Sequence, residues 1–488
     1  VSAPRPDFEG STLDDLPRLR DHALVGSFGA TTADRMALQR ALTTIDAPLA
    51  RGRILHLPAV FPCTPEAAHE VLVTKAKSFE KSPGLRVLLQ PLAGQGLFTS
   101  EGALWRRQRK LMAPLFQPQP IHAYAELIRQ VAERAADRMR PGEAIDLAHE
   151  TTRIAMSAVG KALFDVGTFD EADDLAQALT TCLSWVNGHI SSPALVAHVL
   201  LLDATAALSR RGGERRRRFF DRLHERASAP FLLPGVRAPE LVAATRVLDE
   251  RIQAMIDDRR ASGLSRDDLM TRLLTAIDAE TGERMDDRQV RDEAVTLFVA
   301  GHETTATALA WSFYLLARHP EHRARAQAEA DALGDGPIGA WEPGRLPFLT
   351  QVFREALRLY PPLMFFARRS LEAVEIQGVA LPARTITLVS AYALHRRAAS
   401  FPDPERFVPE RWTAEEEARR HRSAFLPFGA GPRVCIGLHF AMLEGPLVLA
   451  VLLRRHRFEI DPAATIEPDD FATLRPRGGV PAVVRARA

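Results

Sequence analysis

The segment Glu293–Ala317, EAVTLFVAGHETTATALAWSFYLLA, limits the possible folds more than any other in the chain. Its spacing predicts one long helix. At about 1.5 Å per residue it would span on the order of 40 Å, enough to cross a whole domain. It is hydrophobic nearly all round, so it belongs inside the protein and not on its surface. One dense polar interruption breaks it: Gly301, His302, Glu303, Thr304 and Thr305. A carboxylate mid-way along a buried helix is costly unless it is paired, solvated or functional. A glycine in a helix interior costs about 1 kcal/mol against alanine. Two such costs side by side mark a site. His302-Glu303 could begin an HExxH zinc helix, but position 306 is Ala, so the second ligand is missing.

A second stretch, Phe425–Leu443, FLPFGAGPRVCIGLHFAML, reads as a loop that ends in a helix. Gly and Pro between Phe428 and Pro432 oppose helix. Past Gly437 the run has helical spacing, with Leu438, Ala441 and Met442 on one face. Cys435 therefore sits just before a helix N-terminus. Unpaired N–H groups and the positive end of the macrodipole favour a thiolate there. Such a thiolate could be a nucleophile, a zinc ligand or a haem ligand, and a buried structural cysteine is the plainest alternative. Zinc needs about four ligands. The chain has only three Cys, of which Cys63 and Cys182 are isolated. No paired base for a nucleophile and no c-type haem attachment is present. Phe428, Gly431, Arg433, Cys435 and Gly437, spaced FxxGxRxCxG, suit a haem with a thiolate ligand. The aromatic would shield sulfur, the Arg would meet an acid group, and Gly would allow close approach.

This pattern resembles, without mismatch, the haem-binding signature of the cytochrome P-450 family, the haem-thiolate monooxygenases. AGHETT resembles the family's [AG]Gx[DE]T[TS]. The resemblance implies that Gly301 opens room for dioxygen and that Glu303 and Thr304 are the acid and alcohol that deliver protons to it. Cleaving O–O in an apolar pocket takes two protons without flooding by water. WRRQRKL at Trp105–Leu111 resembles the family's WxxxR, in which both side chains reach a haem propionate; Trp105 and Arg109 are i, i+4 on one helix face. Read alone, its basic residues would be a solvated face. Glu355 and Arg358 in FREALRLY resemble the ExxR pair, and Arg411 of FVPERW is its partner by register. Pro404–Phe407 is a decoy with similar letters. Such a network would specify the loop that feeds Cys435 and add little net stability. Arg368 aligns with a second propionate Arg, with Arg369 as a rival one residue away.

At 488 residues the chain suits three average domains or one large one, and its 46% hydrophobic and 25% charged content is that of a soluble protein. A net charge of +2 gives no bulk attraction to nucleic acid. Three Cys without paired spacing indicate a reducing, cytoplasmic setting. The start of the chain shows no apolar anchor, and the uncharged stretch Leu175–Leu202 reads as two helices with a break. Helices are expected near Asp34–Ile45, from a Thr64 cap onward, and through most of Tyr124–Asp258. Strands are expected at Arg53–Phe61, Val374–Ile376 and Ile386–Ser390. Ser82–Gly96 reads as a Gly- and Pro-broken loop, either packed or a flexible pocket wall. Leu183–Leu202 and Leu363–Ala367 are further pocket candidates, and Arg210–Arg218 is a basic turn.

The expectation is one mainly α domain over 1–488, of cytochrome P-450 fold with a small β region. Its cofactor, heme b (iron protoporphyrin IX), would lie between the long central helix and the Cys-loop helix. Cys435 would ligate iron, and Trp105, Arg109, Arg368 and Arg433 would hold the propionates. The enzyme would insert one oxygen atom from O2 into an apolar small molecule, a lipid, terpenoid or steroid, as a cytoplasmic monomer of the soluble bacterial kind. The chain continues for 53 residues past Cys435 with no flavin or iron–sulfur module. Electrons from NAD(P)H are therefore expected through a separate ferredoxin or flavodoxin and its reductase, docking near Arg106, Arg107, Arg454 and Arg455. The alternatives are a peroxygenase, isomerase or dehydratase on the same fold, which the Glu303–Thr304 pair disfavours, and a non-enzymatic haem sensor.

Overall fold

The helix that the sequence places at Glu293–Ala317 starts six residues earlier and runs from Asp287 to Arg318. Asp286 begins it by accepting the Gln289 N–H at 2.7 Å, the usual work of an N-cap carboxylate. This comes from a computed structural model that describes residues 10–20, 27, 36–54, 57–165, 173–189, 193–209, 219–220, 222–223, 239–263, 268–278, 280–333, 344–470 and 473–487. The chain forms two compact units: Val1–Glu80 with Phe116–Ala158 and Gly301–Ala488, and Lys81–Leu115 with Val159–Ala300.

The first unit holds the small β region. Leu49–Ile54 and Leu57–Pro62 pair antiparallel, with Leu49 opposite Pro62. Leu57–Pro62 then runs parallel to Ile386–Ser390, which pairs antiparallel with Phe365–Ser370. Phe79–Lys81 completes this five-stranded sheet. One face buries Leu49, Val60, Val71, Leu72, Val389 and Leu394 in a core that also takes in Leu426. The sheet thus reaches the segment that leads to Cys435. Strands Val374–Ile376 and Val379–Leu381 form a separate hairpin. Behind lie the helices Pro347–Leu359 and Leu438–Arg455, and Ala125–Arg138 packs along the latter. Thr64 caps its short helix through the Ala67 N–H, as expected.

The second unit is helical. Pro239–Ala261 packs on Asp173–His189, and Pro83–Ala93 on Pro193–Ser209. The two expected helices of the Leu175–Leu202 stretch are present, and the residues between them, 190–192, lie outside the described part. The loop reading of Ser82–Gly96 needs correction, and so does any loop character in the pocket candidate Leu183–Leu202 outside the break. Ser82–Gly96 is mostly the helix Pro83–Ala93. Pro83 occupies its first position, where the missing N–H costs nothing and the fixed φ helps. Leu88 and Leu92 bury one face, and Gly94 at φ +50° ends the helix. Leu183–Leu202 is likewise helical on both sides of 190–192. The basic turn Arg210–Arg218 lies outside the described residues.

Candidate functional site

The loop around Cys435 is closed by its own backbone. Gly429 N–H donates to the Leu426 carbonyl at 3.1 Å, Val434 N–H to Gly431 at 3.1 Å, and Cys435 N–H to Phe428 at 2.9 Å. Gly431 has φ +71°, and a Cβ there would stand 2.0 Å from the Leu72 carbonyl oxygen. Only glycine fits, on both counts. The helix Leu438–Arg455 follows at once, with Gly437 at its N-cap. Cys435 is exposed, whereas Cys63 and Cys182 are buried. Burial pushes both of those thiols up to about 12, which keeps them protonated. The chain's three cysteines thus divide into two inert thiols and one at a helix start.

Behind this loop the expected ExxR network is present. Arg358 donates to both Glu355 oxygens, at 2.9 and 2.8 Å, and both side chains are 0% exposed. Arg411 reaches Glu355 at 3.4 Å, the partner expected by register. Arg406 contributes only its backbone carbonyl, at 3.0 Å from Arg358, as a decoy should. The sequence gives no sign of two further donors to Glu355: Trp412 Nε1 at 3.0 Å and Val408 N–H at 3.0 Å. A buried carboxylate so fully hydrogen-bonded fixes geometry more than it adds stability.

On the long helix, Gly301, Glu303 and Thr304 are all half-buried. Glu303 is paired: Thr473 Oγ1 donates to it at 2.8 Å, and Arg475 lies 3.3 Å away. Trp311 holds the segment that carries these partners by donating Nε1–H to the Leu474 carbonyl at 2.8 Å. The next hydroxyl, Thr305, faces Glu444 of the helix after Cys435. Glu444 is fully buried, and burial raises its carboxyl well above the ordinary range, opposed by the Thr305 hydroxyl. Neither Thr473, Arg475 nor Glu444 carries a signal in the sequence.

Four residues are candidates for anionic groups of a ligand. Arg368 is buried and donates to the Ala367 carbonyl at 3.0 Å. Its rival Arg369 is engaged by Glu80, with Nε at 2.7 Å from the carboxylate. Arg433 is half-buried in the turn before Cys435. Trp105 and Arg109 stand one turn apart on the helix Gly102–Met112 of the second unit, both half-buried. Of the basic residues expected to meet a partner, Arg107 lies 3.2 Å from Glu283 and Arg455 lies 3.4 Å from Asp137, while Arg106 is exposed.

The donor set fits a haem. Among the described residues no cluster of three or more His, Cys, Asp or Glu could hold a bare metal ion. A lone exposed sulfur suits a metal that brings its other ligands with it, as a porphyrin does. Phe428 and Gly437 flank that sulfur in sequence, and an Ala at position 437 would place its Cβ 3.9 Å from Cys435 Sγ, so this side of the sulfur leaves room.

Comparison with known proteins agrees. The family model described as Cytochrome P450 matches residues 40–480. Cyclooctatin synthase of Streptomyces melanosporofaciens is 35% identical over 416 residues, covering 84% of this chain and 83% of its own. Pentalenene oxygenase of Streptomyces avermitilis is 32% identical over 430 residues, covering 87% of each. Cyclooctat-9-en-7-ol 5-monooxygenase of Streptomyces melanosporofaciens is 34% identical over 409 residues, covering 84% and 82%. The crystal structure of the cytochrome P450DA heme domain superposes with a TM-score of 0.77 at 24% identity, covering 97% of this chain and 98% of that one. That likeness speaks for the fold.

Proposed function

This chain belongs to the cytochrome P450 family, and we propose that Cys435 is its haem ligand and Glu303 with Thr304 its proton relay. As a family member it is a haem-dependent monooxygenase, an oxidoreductase. The observation that carries the site assignment is Cys435 itself, the one exposed sulfur, on a self-closed loop at the start of a helix. The N–H groups and positive pole of that helix start favour its thiolate. Arg368, Arg433, Trp105 and Arg109 bind the two propionates, with Arg supplying charge-assisted bonds. Phe428 and Gly437 line the sulfur, and Gly301 keeps the long helix free of a side chain where dioxygen enters.

When bound, the haem supplies the activation of dioxygen, and thiolate ligation favours O–O cleavage. The chain supplies the protons. Glu303 holds a carboxylate at the edge of the apolar helix, kept there by Thr473 and Arg475. Thr304, the adjacent hydroxyl, passes a proton inward and takes its replacement from Glu303, which first takes up a proton from solvent at its half-buried position. The buried stretch beyond, Thr305 to Trp311, excludes bulk water.

The substrate we propose is an apolar small molecule, at the terpenoid end of the lipid, terpenoid and steroid range, which the names of the bacterial relatives support. Electrons come from a ferredoxin or flavodoxin and its reductase, and the chain acts as a cytoplasmic monomer of one catalytic domain. Among the described residues no helix is long and apolar enough to cross a membrane. Turnover of a terpenoid library with a ferredoxin–reductase pair tests this reading. Thr304→Ala is expected to leave haem content and substrate binding unchanged while most electrons are lost as peroxide. Unchanged coupling would remove Thr304 from the relay. Equal turnover with peroxide alone would favour the peroxygenase alternative.

A further inference from the structure

One buried titratable group next to the site has no part in that scheme. His395 is 0% exposed and lies between the ExxR helix and the Cys435 loop. Its Nε2 faces the backbone N–H of Leu426 at 2.8 Å. An amide N–H can only donate, so Nε2 carries a lone pair. Its Nδ1 faces the Arg358 carbonyl at 3.2 Å. A carbonyl can only accept, so Nδ1 carries the hydrogen. The two partners thus define one neutral tautomer. Arg358 returns the contact, donating Nη1–H to the His395 carbonyl at 3.0 Å. Burial, and then the Arg358 guanidinium, push the imidazole down to about 3, so it stays neutral at any working pH.

From Leu426 the bonds continue toward the sulfur. The Leu426 carbonyl accepts from Gly429, and Phe428, which lies between them, accepts from Cys435. Leu426 is 1% exposed, so water cannot replace the imidazole as acceptor for its N–H. The ring of Phe425 lies 5.1 Å from that of His395 and 4.2 Å from that of Trp412, which itself donates to Glu355.

We propose that His395 is a positioning residue for Cys435: its neutral imidazole transmits the rigidity of the Glu355–Arg358 pair to the backbone that carries the thiolate. This rests on Cys435 being the haem ligand. The role needs an acceptor at Nε2, and filling the space is not enough.

The test compares purified holoenzyme of the wild type, His395→Phe and His395→Gln. Phe keeps a ring of similar size without an acceptor. Gln gives up the ring but offers an oxygen to the Leu426 N–H. The readouts are the reduced carbon-monoxide spectrum, the rate at which its red-shifted thiolate band converts to the blue-shifted form, and the reduction potential. His395→Phe is expected to convert about tenfold faster than wild type, the effect of one buried unsatisfied N–H, and to shift the potential. His395→Gln is expected to return both readouts most of the way. If Phe matches wild type, or if Gln is as poor as Phe, the proposal is overturned. If Phe yields no holoenzyme, His395→Gln still decides: wild-type conversion supports the acceptor role, and fast conversion contradicts it. Absence of the thiolate band in the wild type would instead sink the Cys435 assignment.

Discussion

Two loops of this protein are held by buried side chains, and they are held by opposite chemistry. The Cys435 loop of the first unit rests on a neutral imidazole and on backbone carbonyls, with the charged Glu355–Arg358 pair satisfied behind it. The loop Gly94–Ser100 of the second unit is held by ionisable groups directly. Gln95 N–H donates to Asp292 at 2.7 Å and Leu97 N–H to Glu293 at 2.8 Å, both carboxyls on the long helix. Lys81 Nζ donates to the carbonyls of Leu97, Phe98 and Ser100 at 2.8, 3.0 and 2.8 Å. Burial pushes the Glu293 carboxyl up to about 8, helped by the neighbouring Asp292 and opposed by the Leu97 N–H and Lys81. Both loops must fix a backbone, but only the second has an anchor that titrates near neutral pH. A hydrogen-bond ladder alone therefore does not set a loop's response to pH; the protonation state of its anchors does.

The largest effect is expected at the first loop. Glu355→Ala leaves Arg358 buried and uncompensated, a loss of about 3–5 kcal/mol. The expected outcome is protein that fails to hold haem or melts far below wild type in thermal denaturation. Next comes the second loop. Gly94 has φ +50°, and a Cβ there would meet the Asp292 carboxylate oxygens at 2.2 Å. Gly94→Ala should cost about 1–3 kcal/mol locally. Hydrogen exchange should then rise at amides 95–100 and stay unchanged at 426–435.

A smaller effect separates the loops by pH. The Glu293 carboxyl titrates at about 8 when the loop is closed, against an ordinary value of 4.5. The closed loop's stability is therefore full below the ordinary value, falls by about 1.4 kcal/mol per pH unit as pH rises toward 8, and is flat above it. After correction for intrinsic exchange, amides 95–100 should open more readily from pH 6 to 8, and amides 426–435 should not. In Glu293→Gln this dependence should vanish; if it persists, Glu293 is not the titrating anchor. The smallest effect concerns Arg86, whose Nε donates to the Thr99 carbonyl at 2.9 Å. Arg86→Ala should loosen the same amides by about 1 kcal/mol, read by the same exchange experiment.

Legibility in the sequence follows the same division. The Cys435 loop could be read because its glycines, Arg433 and the cysteine lie within a dozen residues, and Gly431 is demanded by local geometry. The ExxR partner Arg411 could be read through register. His395 could not, since its role depends on a backbone N–H 31 residues away. Glu303 announced itself as a buried acid, but its partner Thr473 is 170 positions distant. The long helix was legible by its apolar run, yet starting it at Glu293 hid Arg291, Asp292 and Glu293 as a buried charged cluster inside the helix. The Gly- and Pro-rich segment before the second loop reads as broken because Pro and Gly look like interruptions, whereas Pro83 begins a helix and Gly94 ends it.

The proposed oxygen chemistry depends on iron bonded to the sulfur of residue 435. The reduced carbon-monoxide difference spectrum of purified wild type and Cys435→Ser measures this most directly. A red-shifted thiolate band in the wild type, with none in the variant, is the predicted result. A haem-loaded wild type without that band, or a serine variant that keeps it, would rule out Cys435 as the ligand.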